Sequence, residues 1–239
     1  MTIPEQEIVE LFQRKYPHIT VIATFGGSGS LLSSIEIAKA GDLYVPGSQD
    51  YMEKAIRKGI IKKDTITIIT YMIPAIIVPK GNPKNITCLE DLAKPGVRIG
   101  LADPETVCVG EYAVDLLKYN GLWEKVKPNV IVYVESCSAC ANLPVTKSVD
   151  AVIGWHVFHY WNPNATDIIW IKPEKVPKIA FIAAALTVYV EDEYAARKFL
   201  EFLASEESKE IFRMYHYFAT VEEAKNYAPN ATVPPIKDP

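Results

Sequence analysis

Apolar and polar residues alternate along this chain with two periods, one typical of helices and one typical of strands. Residues 4–16 place Ile8, Leu11 and Phe12 on one helix face, and Pro4 marks the start of that helix. Helices are also predicted over 31–39, 49–58, 88–92, 110–120, 195–205 and 207–215, and from about residue 136. Runs of β-branched and apolar residues predict strands over 19–25, 42–45, 65–71, 75–78, 97–101, 130–134, 151–154, 168–171 and 179–190. Because strands and helices alternate almost throughout, we expect an α/β fold with largely parallel sheets.

Two long β segments, near 70–78 and 179–190, divide the chain into two predicted lobes. Lobe 1 would hold 1–73 together with 184–239, and lobe 2 would hold 74–183. The length of 239 residues suits such a division. Two segments that cross between lobes would leave a cleft between them, which is where a ligand would bind.

Composition narrows the classes of function. Apolar residues make up 49% of the chain and charged residues 23%, which excludes a disordered chain, a coiled coil and a collagen-like repeat. The net charge is -4 and no stretch concentrates basic residues, so nucleic acid is not an expected partner. No apolar run is long enough to predict a transmembrane helix. The sequence contains no G-x-S-x-G or HExxH motif and no suggestively spaced carboxylate pair, so it does not indicate an enzyme.

The loop Gly26–Ser30 follows a predicted strand and opens a predicted helix. Unpaired amides at a helix start bind anions, and Ser28 and Ser30 add hydroxyl donors beside the small Gly29. The loop lacks the lysine of a P-loop, which excludes nucleoside triphosphate binding by that motif. An ordinary glycine-rich turn, capped by Ser28 or Ser30, is the alternative interpretation.

Three further loops share this strand-to-helix design: 46–48, 108–110 and 136–140. Ser48 would lie at the same sheet edge as the first loop, and ligands of open α/β sheets bind at the carboxyl ends of strands. Four such loops, two in each lobe, would direct amides towards a small anion without needing a countercharge.

Cys137 and Cys140 form a C-x-x-C motif at a predicted helix start, a position that lowers the pKa of a thiol. With Cys108 and His156 they would make a four-ligand site for a soft metal ion or an Fe–S cluster. The same cysteines could instead form a local disulfide, a bridge from Cys108 across two loops, or buried thiols. Cys88 is expected to be a buried cysteine away from the site.

Several stretches, in this order, resemble the extracytoplasmic solute-binding proteins of ABC importers, in their molybdate- and tungstate-binding branch. They are 25–32 (FGGSGSLL), 41–48 (GDLYVPGS), 50–52, 102–105, 110–113, 120–123 and the helices within 199–215. The resemblance covers most of the chain. It implies the type II periplasmic-binding-protein fold: two α/β lobes with mixed, mostly parallel sheets flanked by helices, joined by a hinge of two crossing β segments. It also implies an oxyanion bound between the lobes, a membrane permease as partner and an extracytoplasmic location.

The resemblance assigns ligand contacts to individual residues. A serine contact of the family falls on Ser28, and two amide donors fall on Val109, next to Cys108, and on Cys137. The archaeal type, which adds acidic side chains around the metal centre, would place an aspartate near Val107. That carboxylate is absent, which argues against this mode of coordination.

A tyrosine contact that is frequent in the family falls on Gly154, so we expect Trp155 or His156 to replace it. These two residues begin an aromatic group that extends to Trp161. The group would wall the cleft or, alternatively, form a packed surface corner.

The start of the chain departs from the family pattern. The family begins with a strand and a serine-bearing loop, whereas here Met1-Thr2-Ile3 would lie at the end of that loop and lead into the first helix. We therefore expect the first strand to be missing, together with the signal segment. The protein is then predicted to be a monomer, or a dimer if a partner replaces the strand.

The thiols are the second departure. Cys108, Cys137 and Cys140 fall at or beside ligand-loop positions, where they suit a soft metal ion or a metal–sulfur species better than a hard oxyanion. Such a cargo on the same fold is the alternative function, and a thiol redox enzyme is a third one.

Overall fold

The structure, a computed structural model, describes residues 3–236. Its helices are α1 (Ile3–Lys15), α2 (Ser28–Ala38), α3 (Gln49–Arg57), α4 (Cys108–Tyr119), α5 (Trp123–Val126), α6 (Cys137–Val145), α7 (Val157–Trp161), α8 (Glu193–Leu203), α9 (Glu206–Met214) and α10 (Val221–Lys225). Its strands are β1 (Leu43–Tyr44), β2 (Thr67–Met72), β3 (Pro74–Pro79), β4 (Ile99–Ala102), β5 (Val130–Val134), β6 (Ala151–Trp155), β7 (Thr166–Ile169) and β8 (Ala180–Leu186). The predicted α/β class is thus confirmed.

Met1 and Thr2, on which the expected loss of a first strand depends, lie outside the described residues. Ile3 is the first residue of α1, close to the predicted start of that helix. Within the described part of the chain, no helix combines the length and apolar character that crossing a membrane requires.

The chain forms two compact units. Unit 1 comprises residues 3–71, 180–221 and 234–236 of the described chain, and unit 2 comprises 72–179 and 222–233. The predicted lobes stay a prediction, and the compact units differ from them in grouping 222–233 with unit 2. There the amide of Ile179 donates to the carbonyl oxygen of Thr232 at 2.9 Å, and the ring of Tyr227 stacks on Trp170.

Unit 1 contains a three-stranded sheet of order β1-β8-β2, in which β1 runs antiparallel to β8. Every residue of β8 is buried, so this strand forms the centre of the core. Helix α1 adds the fully buried Ile8 and Phe12, and the Phe12 ring lies 5.0 Å from that of Phe199 on α8. Burial of each such side chain stabilises the unit by about 1.5–3 kcal/mol.

Residues 19–25, predicted as a strand from their β-branched composition, form no strand within the described residues. Ile22 is 89% exposed and Phe25 is 43% exposed. The amide of Val21 donates to the side-chain oxygen of Gln13 at 2.7 Å instead of to a neighbouring strand. β-Propensity describes side chains that pack on a sheet, and this segment has no such surface beside it in the described chain.

Unit 2 contains a five-stranded sheet of order β5-β4-β6-β3-β7. Strand β4 is parallel to β5 and β6, whereas β3 is antiparallel to both of its neighbours. The expectation of mostly parallel sheets is therefore too strong, although the sheet is mixed as predicted. All residues of β3 are buried, and a strand buried in this way has the same apolar composition in either direction, so its orientation cannot be deduced from its pattern.

Candidate functional site

Ser28 connects the two loops of unit 1 that were expected at one sheet edge. Its hydroxyl oxygen accepts a hydrogen bond of 3.0 Å from the amide of Gly47. The hydroxyl of Tyr44, the last residue of β1, donates to the carbonyl oxygen of Ser28 at 2.8 Å. The side chain of Ser28 therefore joins loops 26–30 and 46–48, and its backbone joins the first of these loops to β1.

The start of α2 has amide hydrogen-bond donors that no bond within the helix uses. Its N-cap is Gly27, which makes no side-chain capping bond. The first-turn amides, including those of Gly29 and Ser30, have no partner inside the helix, and the helix dipole favours negative charge beside them. The Ser28 hydroxyl uses an acceptor position for Gly47 and retains its own proton for donation. This end of α2 is therefore chemically suited to an anion.

Ser48, the N-cap of α3, is fully buried. Its hydroxyl donates to a carboxylate oxygen of Asp50 at 3.3 Å. The hydroxyl proton is thus directed to the first turn of α3, and the role of Ser48 as a ligand contact stays a prediction.

Tyr51 packs against the start of α2, a contact that the sequence interpretation missed. A Cβ atom at Gly29 would lie 3.1 Å from Cε1 of Tyr51, so the glycine permits this close approach. The ammonium group of Lys54 lies 4.0 Å from the centroid of the Tyr51 ring, a cation–π contact. The one signal for Tyr51 in the sequence is that stretch 50–52 carries part of the family resemblance.

Two loops of unit 2 come from neighbouring parallel strands, β4 and β5, and each leads into a helix that begins with a cysteine. Cys108 is the first residue of α4, and Cys137 is the first residue of α6. Ser136 caps α6 by accepting a hydrogen bond of 3.1 Å from the amide of Ala139. Because carboxyl ends of parallel neighbours share a sheet edge, the structure brings the two predicted loops together.

Gly110 determines how closely α4 approaches β4. A Cβ atom at this position would lie 2.2 Å from the carbonyl oxygen of Ala102, which is a severe clash with backbone. The N-cap of α4 is Val107, which makes no side-chain capping bond. Val109 is fully buried, and its role as a ligand contact stays a prediction.

The thiols of Cys108 and Cys137 hydrogen-bond each other. This bond, together with burial and the nearby Cys140, raises the pKa of Cys137 well above its ordinary value. Burial raises the pKa of Cys140 to about 12, although a hydrogen bond with the Ala102 backbone acts in the opposite direction. The expectation of a lowered thiol pKa at this helix start is therefore wrong, because burial and thiol contact outweigh the helix dipole.

The four-ligand metal site predicted from Cys108, Cys137, Cys140 and His156 is not formed. Within the described residues, no group of three or more histidine, cysteine, aspartate or glutamate side chains is placed to hold a metal ion. The Nδ1 atom of His156 lies 3.3 Å from the carbonyl oxygen of Ile73, and the ring is buried. The histidine ring is thus hydrogen-bonded to the backbone directly before β3.

Trp155 is also buried, and its ring meets that of Tyr112 edge to face at 5.0 Å. A Cβ atom at the neighbouring Gly154 would lie 2.4 Å from the Phe158 ring, so a larger residue does not fit there. This packing agrees with the aromatic group forming a packed corner. A ligand contact by Trp155 stays a prediction.

This chain is similar in sequence and in structure to known proteins. The family described as bacterial extracellular solute-binding protein matches residues 1–218. The chain is 26% identical over 215 residues to a Bacillus subtilis protein named "Putative ABC transporter substrate-binding lipoprotein YvgL", covering 90% of this chain and 81% of the relative. It is 24% identical over 217 residues to the molybdate-binding protein ModA of Rhodobacter capsulatus, covering 90% and 84%. The solved structure of the sulfate-binding protein SubI from Mycobacterium tuberculosis aligns with a TM-score of 0.79 at 16% identity, covering 97% of this chain and 88% of that one.

Proposed function

Because the chain belongs to the family of bacterial extracellular solute-binding proteins, with the predicted type II periplasmic-binding-protein fold, we propose that it is the substrate-binding component of an ABC importer. Its ligand is a small tetrahedral oxyanion of the molybdate and tungstate class. The relative from Rhodobacter capsulatus is named as a molybdate-binding protein, and its alignment covers 90% of this chain, which supports this ligand class.

The observation that carries the proposal is the start of α2. The N-cap Gly27 makes no side-chain capping bond, so the first-turn amides of α2 are available to an anion. Ser28 adds a hydroxyl group, which the hydrogen bond from the Gly47 amide holds in position. Donors that are fixed before binding cost little to order, which favours capture of a compact anion. Ser28, Gly29 and Ser30 are the proposed contacts of unit 1.

In unit 2, the proposed contacts are the backbone amides at the starts of α4 and α6, namely those of Val109 and Cys137. The helix dipoles and amides supply positive potential there, so the proposal does not require a charged side chain. Selectivity would depend on whether the anion is large enough to pair with every donor, because a buried donor left unpaired costs about 1–3 kcal/mol.

The proposed role includes an extracytoplasmic location and a membrane permease as the physiological partner. A thiol oxidoreductase is a weaker alternative, since such enzymes use a cysteine of lowered pKa. Here the pKa of Cys137 is raised by its bond to Cys108 and by burial. Binding of a soft metal ion is also a weaker alternative, because no three histidine, cysteine, aspartate or glutamate side chains are placed to hold one within the described residues.

Calorimetric titration of the full chain with molybdate, tungstate, sulfate and phosphate tests the proposal. A reductant keeps the thiols free during the measurement. We expect molybdate and tungstate to bind with a Kd of about 1 μM or tighter, and sulfate at least about tenfold more weakly. The absence of binding by all four anions would overturn the oxyanion proposal. Preferential binding of sulfate or phosphate would overturn the assignment to the molybdate and tungstate class.

A further inference from the structure

Cys108 and Cys137 meet at the carboxyl edge of two neighbouring strands. Each is the first residue of a helix, and the preceding strands β4 and β5 are parallel partners whose register pairs Ala102 with Val134. Helices α4 and α6 both pack against β4. Two thiols that are distant in sequence are thus brought into hydrogen-bond contact by rigid elements.

We propose that Cys108 and Cys137 are a modification site, at which they form a reversible disulfide that joins the first turns of α4 and α6. The bridge would enclose α4, α5 and β5 in one covalent loop, which restricts the unfolded chain and so stabilises unit 2. This proposal does not depend on the identity of the ligand.

The remaining cysteines are poorer partners for Cys137. Cys140 is fully buried and is hydrogen-bonded to the backbone of Ala102. It also lies three residues further along the same helix, within bridging distance of Cys137, but the hydrogen bond of the Cys137 thiol is with Cys108. Cys88 precedes β4 in a separate loop, next to the short turn 89–93.

The oxidant is a low-molecular-weight disulfide such as glutathione disulfide. The thiolate of one cysteine attacks a sulfur atom of the reagent, forming a mixed disulfide and releasing one glutathione thiolate. The second cysteine then attacks the protein sulfur of that mixed disulfide and releases the second glutathione. The two protein thiols are oxidised, the reagent is reduced, and the two thiol protons end on the two glutathione molecules.

The test is to incubate the reduced full chain with glutathione disulfide, quench with acid, digest without reductant and map linked peptides by mass spectrometry. We expect the peptides of Cys108 and Cys137 to be joined, with the loss of two hydrogens. The Cys88→Ser and Cys140→Ser variants should keep this link, and Cys108→Ser should lose it.

A link between Cys137 and Cys140, a stable mixed disulfide with glutathione, or four unchanged thiols would each overturn the proposal. Because the linked peptides are sought in the unmodified chain, failure of a variant to fold does not obscure the result. Failure of anion binding in the calorimetric titration would leave this outcome unaffected, so the two proposals are tested separately.

Discussion

The hydroxyl oxygen of Ser28 lies 3.0 Å from the amide nitrogen of Gly47 and accepts a hydrogen bond from it. The bond joins two loops and uses only an acceptor position of the hydroxyl, so in the proposed function the serine proton donates to the anion. Ser28→Ala removes that donor and also the partner of the Gly47 amide. We expect the variant to bind molybdate about 10–100-fold more weakly, as measured by calorimetric titration, because a lost hydrogen bond to a charged group costs about 1.5–3 kcal/mol.

Ser34→Ala is the matched control for this change. Ser34 lies on the same helix, is exposed, and donates only to the carbonyl oxygen of Ser30 at 3.0 Å among the bonds described. Its loss should leave molybdate affinity within about twofold of the wild type. Equal affinities of the Ser28→Ala and Ser34→Ala proteins would contradict the proposed role of Ser28.

Gly110 is expected to be intolerant of any side chain. A Cβ atom would lie 2.2 Å from the Ala102 carbonyl oxygen, and both partners belong to packed backbone that cannot move independently. Gly110→Ala should therefore lower the free energy of unfolding by about 2–4 kcal/mol, measured by urea denaturation. Lys118→Ala, at an exposed position of α4, should change it by less than about 0.5 kcal/mol. Similar values for the two variants would contradict the close contact.

The helices of this protein could be predicted well because their signal is local. The helix predicted over 4–16 is found at Ile3–Lys15, and its apolar face carries the buried Ile8 and Phe12. Residues 19–25 have an equally clear β-branched composition, yet they form no strand in the described chain. A strand depends on a partner from elsewhere in the chain, and that information is absent from a local pattern.

The same distinction applies to the candidate site. The Cys137 loop could be predicted because a strand followed by a helix start is visible in sequence. For the Ser28 loop only the helix start is predicted correctly, since no strand precedes it in the described chain. The contact between Gly29 and Tyr51 could not be predicted, since it joins two helices whose packing no local period specifies. The direction of the pKa shift of Cys137 also depends on burial and on a thiol from another loop, so the helix position alone gave the wrong sign.

Asp150 ties the starts of β4 and β6 together through Arg98. Its carboxylate accepts hydrogen bonds of 2.9 Å from both the backbone amide and the guanidinium of Arg98. Burial raises the pKa of Asp150, but the bonds and the charge of Arg98 outweigh it, so the pKa is lowered overall. We expect Asp150→Asn to lower the free energy of unfolding by about 1–3 kcal/mol at pH 7, measured by urea denaturation.

The pH dependence of this effect has a definite sign. A carboxyl group whose pKa is lowered by folding contributes stability above its unfolded pKa and loses it as the pH falls through the folded pKa. The difference between wild type and Asp150→Asn should therefore shrink below about pH 4. Asp115→Asn is the control, because its ion pair with Lys178 is partly exposed and should be worth less than about 1 kcal/mol. A difference that stays constant down to pH 3 would argue against the role of the Asp150 charge.

The thiol pair should react slowly at neutral pH and faster in alkali. The hydrogen bond to Cys108, together with burial, raises the pKa of Cys137, so its thiolate is scarce at pH 7. Below that pKa the thiolate fraction rises about tenfold for each pH unit, and only the thiolate attacks a disulfide. We expect the rate of bridge formation with glutathione disulfide to rise about tenfold per unit between pH 7 and pH 9, measured by acid quench and mass spectrometry. Cys140→Ser should keep this slope, whereas a rate that levels off near pH 7 would show that the attacking thiol has an unraised pKa.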